Sequence, residues 1–236
     1  MQYDHVNHQR SAPTHIGFLV FPGIQQLDLG GPYEVFAAVP GVTVSLTWKD
    51  TAPLRSSSGF WITPTVTFET CPALDLICIP GGGGVNPLLT DDVVLQFVRN
   101  AARSCRLVTS VCTGSLVLGA AGLLAGKRAT SHWNAVDLLD HFDAIPTTGR
   151  IVRDGAIVTA GGVTSGIDFG LEIIADLFGR DAAEIVQLGL EYDPAPPFAS
   201  GTPQSARPEI LAASRDRLSK SRAEREAILA TLPQGQ

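Results

Sequence analysis

The sequence predicts an α/β fold, a mostly parallel sheet covered by helices on both faces. Three observations carry that expectation. Strand-like and helix-like segments alternate along most of the chain. Several strand segments are nearly continuous apolar runs, such as HIGFLVF (15–21) and LDLICIP (74–80), as in strands buried on both faces. The chain has 236 residues, 44% of them hydrophobic and 17% charged, enough for one domain with a full core.

Each element follows from its local pattern. HIGFLVF (15–21) is a buried strand. LDLGGPYEVFAAV (27–39) turns into a helix, with Pro32 suited to a first turn. VTVSLTW (42–48) alternates as a second strand. Ser56-Ser57-Ser58-Gly59 is a turn between short β segments, with WITPTVTF after it. LDLICIP (74–80) runs into Gly81 to Gly84. DDVVLQFVRNAARS (91–104) is an amphipathic helix with acid at its start and arginine near its end. LVTSV (107–111) is a strand that delivers Cys112, and a helix is expected from Thr113 to Leu124.

Further on, a helix is expected from Trp133 to about His141. IVRDGAIVTA (151–160) is a hairpin around Asp154-Gly155. The segment 161–179 is a loop and then a buried helix that Gly179 stops. DAAEIVQLGLEY is another helix, and PAPPF (194–198) breaks the chain. The last segment, Pro208 to Thr231, is a charged amphipathic helix whose apolar stripe suggests docking. No internal repeat emerges. The expected division is a loose leader (1–14), an α/β domain (15–198) and a C-terminal helical arm (199–236).

Composition narrows the function. The formal net charge is −6, and no basic patch precedes the last helix, so nucleic-acid binding has no electrostatic footprint. The small-residue stretch after Cys112 is broken by glycines and fits a buried helix better than a membrane span. The polar N-terminus carries no secretory signal. Cys71, Cys78, Cys105 and Cys112 form no CxxC pair, which fits reduced thiols in the cytoplasm. No His, Cys, Asp or Glu cluster has metal spacing, so no metal is expected.

In open α/β sheets, ligands bind beyond the carboxyl ends of strands. Three loops stand at such ends: Gly23 to Gly31, Gly81 to Gly84, and Cys112 itself. Cys112 joins a strand to a helix, a junction that lifts a side chain out of the sheet and sets a thiol near a helix N-terminus, where the thiolate is favoured. A buried core cysteine is the other reading. Asp28 lies between leucines, which raises its pKa and suits it to proton donation. A capping aspartate is the alternative. The Gly81–Gly84 run offers backbone N–H groups to an anionic intermediate, or simply a turn. His132, beside Trp133, is either the partner of a Cys–His pair or a structural histidine.

Taken together, FPGIQQLDLGGPYEVF, DLICIPGGGGV, VTSVCTGSLVLGAAGLLAGKRATSHW, VRDGAIVTAGGVTSGIDFGLEIIADLFG and LEYDPAPPF resemble the ThiJ/PfpI superfamily over nearly the whole chain. The resemblance implies a flavodoxin-like three-layer sandwich with a cysteine elbow. Many members have histidine after the cysteine and glutamate in the first loop. Thr113 and Asp28 stand there instead, and that pattern is similar to the bacterial isocyanide hydratases. AraC-type regulators carry a similar cysteine motif but append a helix-turn-helix module, which is not expected here.

The hydratase resemblance implies Cys112 as nucleophile, Asp28 as acid and base, and Thr113, Gly82 and Gly83 orienting the reacting atoms. It implies an isocyanide and water as reactants, an N-substituted formamide as product, no cofactor, and a homodimer, while the C-terminal arm is expected to pack on the domain or on the dimer. Two rival functions use the same thiol. One is a glyoxalase or deglycase acting on reactive carbonyls. The other is a redox or ligand sensor without turnover.

Overall fold

The structure, a computed structural model, describes residues 14–233. Residues 1–13 of the expected leader, including His5 and His8, lie outside the described residues, and Thr14 already belongs to the first strand. In chain order the elements begin β1 (Thr14–Leu19), α1 (Gln26–Ala37), β2 (Val42–Trp48), β3 (Leu54–Arg55), β4 (Trp61–Ile62), β5 (Val66–Thr67) and β6 (Leu76–Ile79). They continue with α2 (Val85–Leu88), α3 (Asp92–Ser104), β7 (Leu107–Val111), α4 (Gly114–Ala120) and β8 (Arg128–Ala129). After a 3-10 helix at Val136–Phe142 come β9 (Ile145–Pro146), β10 (Ile151–Asp154), β11 (Ile157–Ala160), α5 (Ser165–Phe178), α6 (Arg180–Gly189) and α7 (Pro208–Leu229).

Seven strands form the main sheet in the order β10-β11-β7-β6-β1-β2-β5. Only the β10–β11 hairpin pairs antiparallel within it. Its central strands are the apolar runs expected to be buried on both faces, and β6 is buried along its whole length. Helices α1, α5 and α6 pack together on one face, and α2, α3 and α4 pack on the other. The aromatic core follows this layering. Phe18 of β1 touches Tyr33 and Phe36 of α1, and Phe36 meets Phe169 of α5 edge-on. No helix among the described residues is long and apolar enough to cross a membrane.

Four local expectations change. Pro32 lies inside α1 rather than in its first turn, because the helix already begins at Gln26 and takes Asp28 into that turn. Lacking an N–H, Pro32 leaves the carbonyl of Asp28 without its intrahelical donor. Helix α4 stops at Ala120, because Gly122 turns the chain at φ +76°. The segment after Trp133 is a 3-10 helix starting at Val136, because His132 to Ala135 close their own turn, with Ala135 N–H bonded to the His132 carbonyl at 2.8 Å. Helix α7 has no apolar stripe, and its buried residues are Arg225 and Leu229. It meets the rest of the fold through Leu229 and Ile228 at its end and through polar groups along its length. Arg222 pairs with Asp137 at 2.6 Å, and Arg225 Nε donates to Asn86 Oδ1 at 3.0 Å.

Candidate active site

The site stands at the carboxyl ends of β1, β6 and β7, where the three loops converge. Backbone hydrogen bonds stitch two of them together. Gln25 N–H donates to the Gly81 carbonyl at 2.8 Å, and Gly84 N–H donates to the Gly23 carbonyl at 3.1 Å. The β3–β4 hairpin braces the start of α1 from outside. Ser57 Oγ donates to Gln25 Oε1 at 2.9 Å, Ser56 Oγ donates to Gln26 Oε1 at 2.6 Å, and Ser57 N–H bonds the Ile24 carbonyl at 2.9 Å. These contacts fix the first turn of α1, and with it Asp28.

Cys112 adopts φ +57°, the left-handed region that a side-chain-bearing residue enters at a cost of about 1–2 kcal/mol. The surroundings hold it there. Its N–H donates to the carbonyls of Ala160 and Gly161 at 3.0 and 2.8 Å, and its own carbonyl accepts from Ser131 and Ser115 hydroxyls at 3.1 and 3.3 Å. Two residues later, Gly114 lets the chain pass β6, because a Cβ there would lie 1.9 Å from the Ile79 carbonyl oxygen. The result is the strand-to-helix elbow that the sequence suggests.

Asp28 is fully buried, and its Oδ2 accepts from Gly81 N–H at 2.9 Å. Its other oxygen, Oδ1, is buried with no partner among the described residues. Burial lifts the carboxyl to about 7, against which the bonds from Gly81 and from the Cys112 thiol pull only partly. A carboxyl that holds a proton near neutrality matches the expectation for Asp28.

The thiol departs from expectation. Burial first, then the neighbouring Asp28 charge, push Cys112 well above the usual thiol range, more than Thr113 beside it offsets, and the Thr113 hydroxyl donates to the Gly82 carbonyl at 3.5 Å. Helix α4 has only seven residues, too short a dipole to reverse that desolvation. The resting pair is therefore a thiol donating toward a carboxyl, and the two titrate as one unit.

Within the glycine loop, one of the expected donors is already engaged. The Gly82 N–H, expected to face the reacting atoms, donates to Thr113 Oγ1 at 3.1 Å, so it orients Thr113 instead. Around Gly83 the space is open, with no atom within 4 Å of where its Cβ would stand. The sequence does not single out Gly81 within that run. A Cβ there would come within 2.6 Å of Thr113 N, 2.7 Å of Thr113 Oγ1 and 2.8 Å of Asp28 Oδ2. No local signal separates Gly81 from its three glycine neighbours, because its constraint comes from residues distant in sequence. Gly81→Ala is accordingly expected to cut activity by about 100-fold or more while the protein still folds, since those groups must be held to within about half an ångström. Steady-state kinetics beside a melting curve checks this, and an alanine variant with near wild-type turnover would show that the contact is soft.

His132 does not join the pair. Its Nδ1 accepts from Asn134 N–H at 3.2 Å, and burial, then the charge of Arg225, lower its pKa. That is the structural reading of this histidine.

Comparison with known proteins bears on the chain as a whole. Over 206 residues the chain is 57% identical to an isonitrile hydratase of Pseudomonas putida, covering 87% of this chain and 90% of that one. It is 31% identical over 174 residues to the HTH-type transcriptional regulator CdhR of Pseudomonas aeruginosa, covering 70% of this chain but 51% of the regulator. A crystal structure of a ThiJ/PfpI family protein from Pseudomonas syringae superposes with a TM-score of 0.90 at 38% identity, covering 97% of both chains. The family model for DJ-1/PfpI matches residues 14–176, which contain the elbow, Asp28 and the glycine loop. The chain belongs to the DJ-1/PfpI family.

Proposed function

We propose that this chain is an isonitrile hydratase, a cofactor-independent lyase that converts an isonitrile (isocyanide) and water to an N-substituted formamide. The observation that carries the reading is a buried thiol paired with a carboxyl poised near neutrality, in a chain 57% identical to an isonitrile hydratase.

The chemistry runs in three balanced steps. Asp28 as carboxylate takes the Cys112 proton, the sulfur bonds the terminal carbon of the isonitrile, and Asp28 returns the proton to that carbon. This leaves a covalent thioimidate and a carboxylate again. Asp28 then takes one proton from water as the water oxygen adds to the same carbon, and passes it to the nitrogen, leaving a tetrahedral carbon that carries hydroxyl, N–H and sulfur. Finally the carbon–sulfur bond breaks as the hydroxyl becomes the formyl carbonyl, its proton passes through Asp28 to sulfur, and the formamide leaves. Thr113, oriented by Gly82 N–H, supports the sulfur throughout.

The same reading carries a homodimer in the cytoplasm. Leu27, Phe60 and Trp61 are exposed near the start of α1 and the β3–β4 hairpin, and supply an apolar surface for a second copy. All four cysteines are free, which fits a reducing compartment. Burial, which holds the Cys112 thiol protonated, speaks against the sensor, since such a thiol reacts slowly with peroxide. Thr113 and Asp28 speak against the carbonyl enzymes, whose resemblance pattern needs histidine and glutamate there.

The test is turnover by purified protein. Cyclohexyl isocyanide is expected to give N-cyclohexylformamide, seen by NMR, while methylglyoxal is left unconsumed. Methylglyoxal consumption without formamide would replace this reading with the carbonyl-enzyme one.

A further inference from the structure

One buried charge takes no part in these steps. Arg225 of α7 is 5% exposed, yet makes no ion pair among the described residues. Its guanidinium donates from Nε to Asn86 Oδ1 at 3.0 Å and from Nη2 to Ser221 Oγ at 3.4 Å, both neutral acceptors. Burying a cation without an anion costs free energy that a fold does not normally leave uncompensated.

Its place is set from two sides. Asn86 begins just beyond the glycine loop, and its side chain also donates to the Ser221 carbonyl at 3.3 Å. One turn before Arg225, Arg222 donates to the Asn134 carbonyl at 2.9 Å and grips Asp137. Asn134 lies three residues after Ser131, whose hydroxyl holds the Cys112 carbonyl at 3.1 Å. Helix α7 therefore bridges the glycine-loop helix and the turn that clamps the elbow, with Arg225 facing inward. Burial lowers the Arg225 pKa and the nearby Cys112 raises it in part, while the Arg225 charge lowers that of His132. The titratable groups facing the thiol are Asp28 from α1 and Arg225 from α7. Those facing Arg225 are Cys112, His132, Arg222 and Glu224.

We propose that Arg225 is the counter-charge of the Cys112 thiolate, a positioning residue on the C-terminal arm that eases formation of the attacking anion. It does not touch the reacting atoms. Its field acts through a water-poor interior, where charges reach further than in solvent. The proposal rests on Cys112 being the nucleophile of the reaction above, but its test needs no turnover.

Alkylation of Cys112 by iodoacetamide, followed against pH by peptide mass spectrometry, reads the thiol's ionisation directly. Arg225→Gln removes the charge and keeps a donor for Asn86. Its profile is expected to move up by about one pH unit, seen as roughly tenfold slower labelling at neutral pH. Arg225→Lys keeps the charge and is expected to label within about threefold of wild type. Asn86→Asp leaves the arginine but neutralises it, and is expected to shift labelling as Arg225→Gln does, even if that variant fails to fold. Superimposed profiles for wild type and Asn86→Asp, or for wild type and a folded Arg225→Gln, overturn the proposal. So does an Arg225→Lys profile displaced as far as that of Arg225→Gln, which would mark shape rather than charge. Normal labelling shifts in a protein that makes no formamide would sustain this inference and remove the hydratase reading instead.

Discussion

Cys112→Ala is expected to lower formamide production by roughly three orders of magnitude or more, because it deletes the atom that forms the covalent bond. The physical case is the elbow. A chain that holds a non-glycine residue at φ +57° with four hydrogen bonds on its backbone is spending stability on the direction of one side chain. Alanine keeps the same backbone and the same clamps, so the fold should survive with only a small change in melting temperature. Rapid quenching of the wild type during turnover should reveal an adduct on Cys112 with the mass of the isonitrile. The alanine variant should show none. Retention of more than about a tenth of wild-type turnover by Cys112→Ala would exclude the covalent route.

Asp28→Asn is expected to separate activity from stability. Without a group to move the thiol proton and later to activate water, turnover should fall by about 100-fold to 10,000-fold. The wild-type rate should rise with pH through about 7 as the Cys112–Asp28 pair gives up its first proton, and the variant should lose that limb. Stability should move the other way. The folded-state pKa of Asp28 is raised above its unfolded value, from 3.8 to about 7, so its contribution to stability is complete below 3.8 and is lost as pH rises through about 7. At higher pH the fold carries a buried carboxylate at a cost on the order of a few kcal/mol. Asparagine has no charge to bury and can still accept from Gly81 N–H. The variant should therefore melt several degrees above wild type at pH 8 and close to it at pH 4. Equal melting temperatures at pH 8 would show that the carboxylate is better solvated than its burial implies.

Most of the architecture can be read locally. Strand β2 runs over Val42–Trp48 and β7 over Leu107–Val111, where the alternating and apolar patterns place them, because a strand's pattern is written in its own residues. Helix ends were harder. Pro32 could open a helix or sit inside one, and only the packing of the first loop against Gly81 and the β3–β4 hairpin decided that α1 begins at Gln26. The small-residue run after Cys112 looked like a longer helix, yet a glycine at φ +76° ends it early.

The sequence alone was enough to mark a thiol at a strand-to-helix junction, an acid between leucines and a glycine run at a strand end, because turn chemistry and burial preference are properties of neighbours along the chain. Tertiary structure decided the rest. Gly81 and Asp28 are 53 residues apart, and Arg225 and Asn86 are 139 apart. No local pattern reports that one glycine N–H is taken by a carboxylate and the next by a threonine, or that a helix at the far end of the chain buries an arginine against the helix that follows the glycine loop. The ionisation of the site has the same origin. Helix position alone favours a thiolate, whereas desolvation and the Asp28 charge hold the resting thiol protonated, and both depend on atoms brought together only by folding.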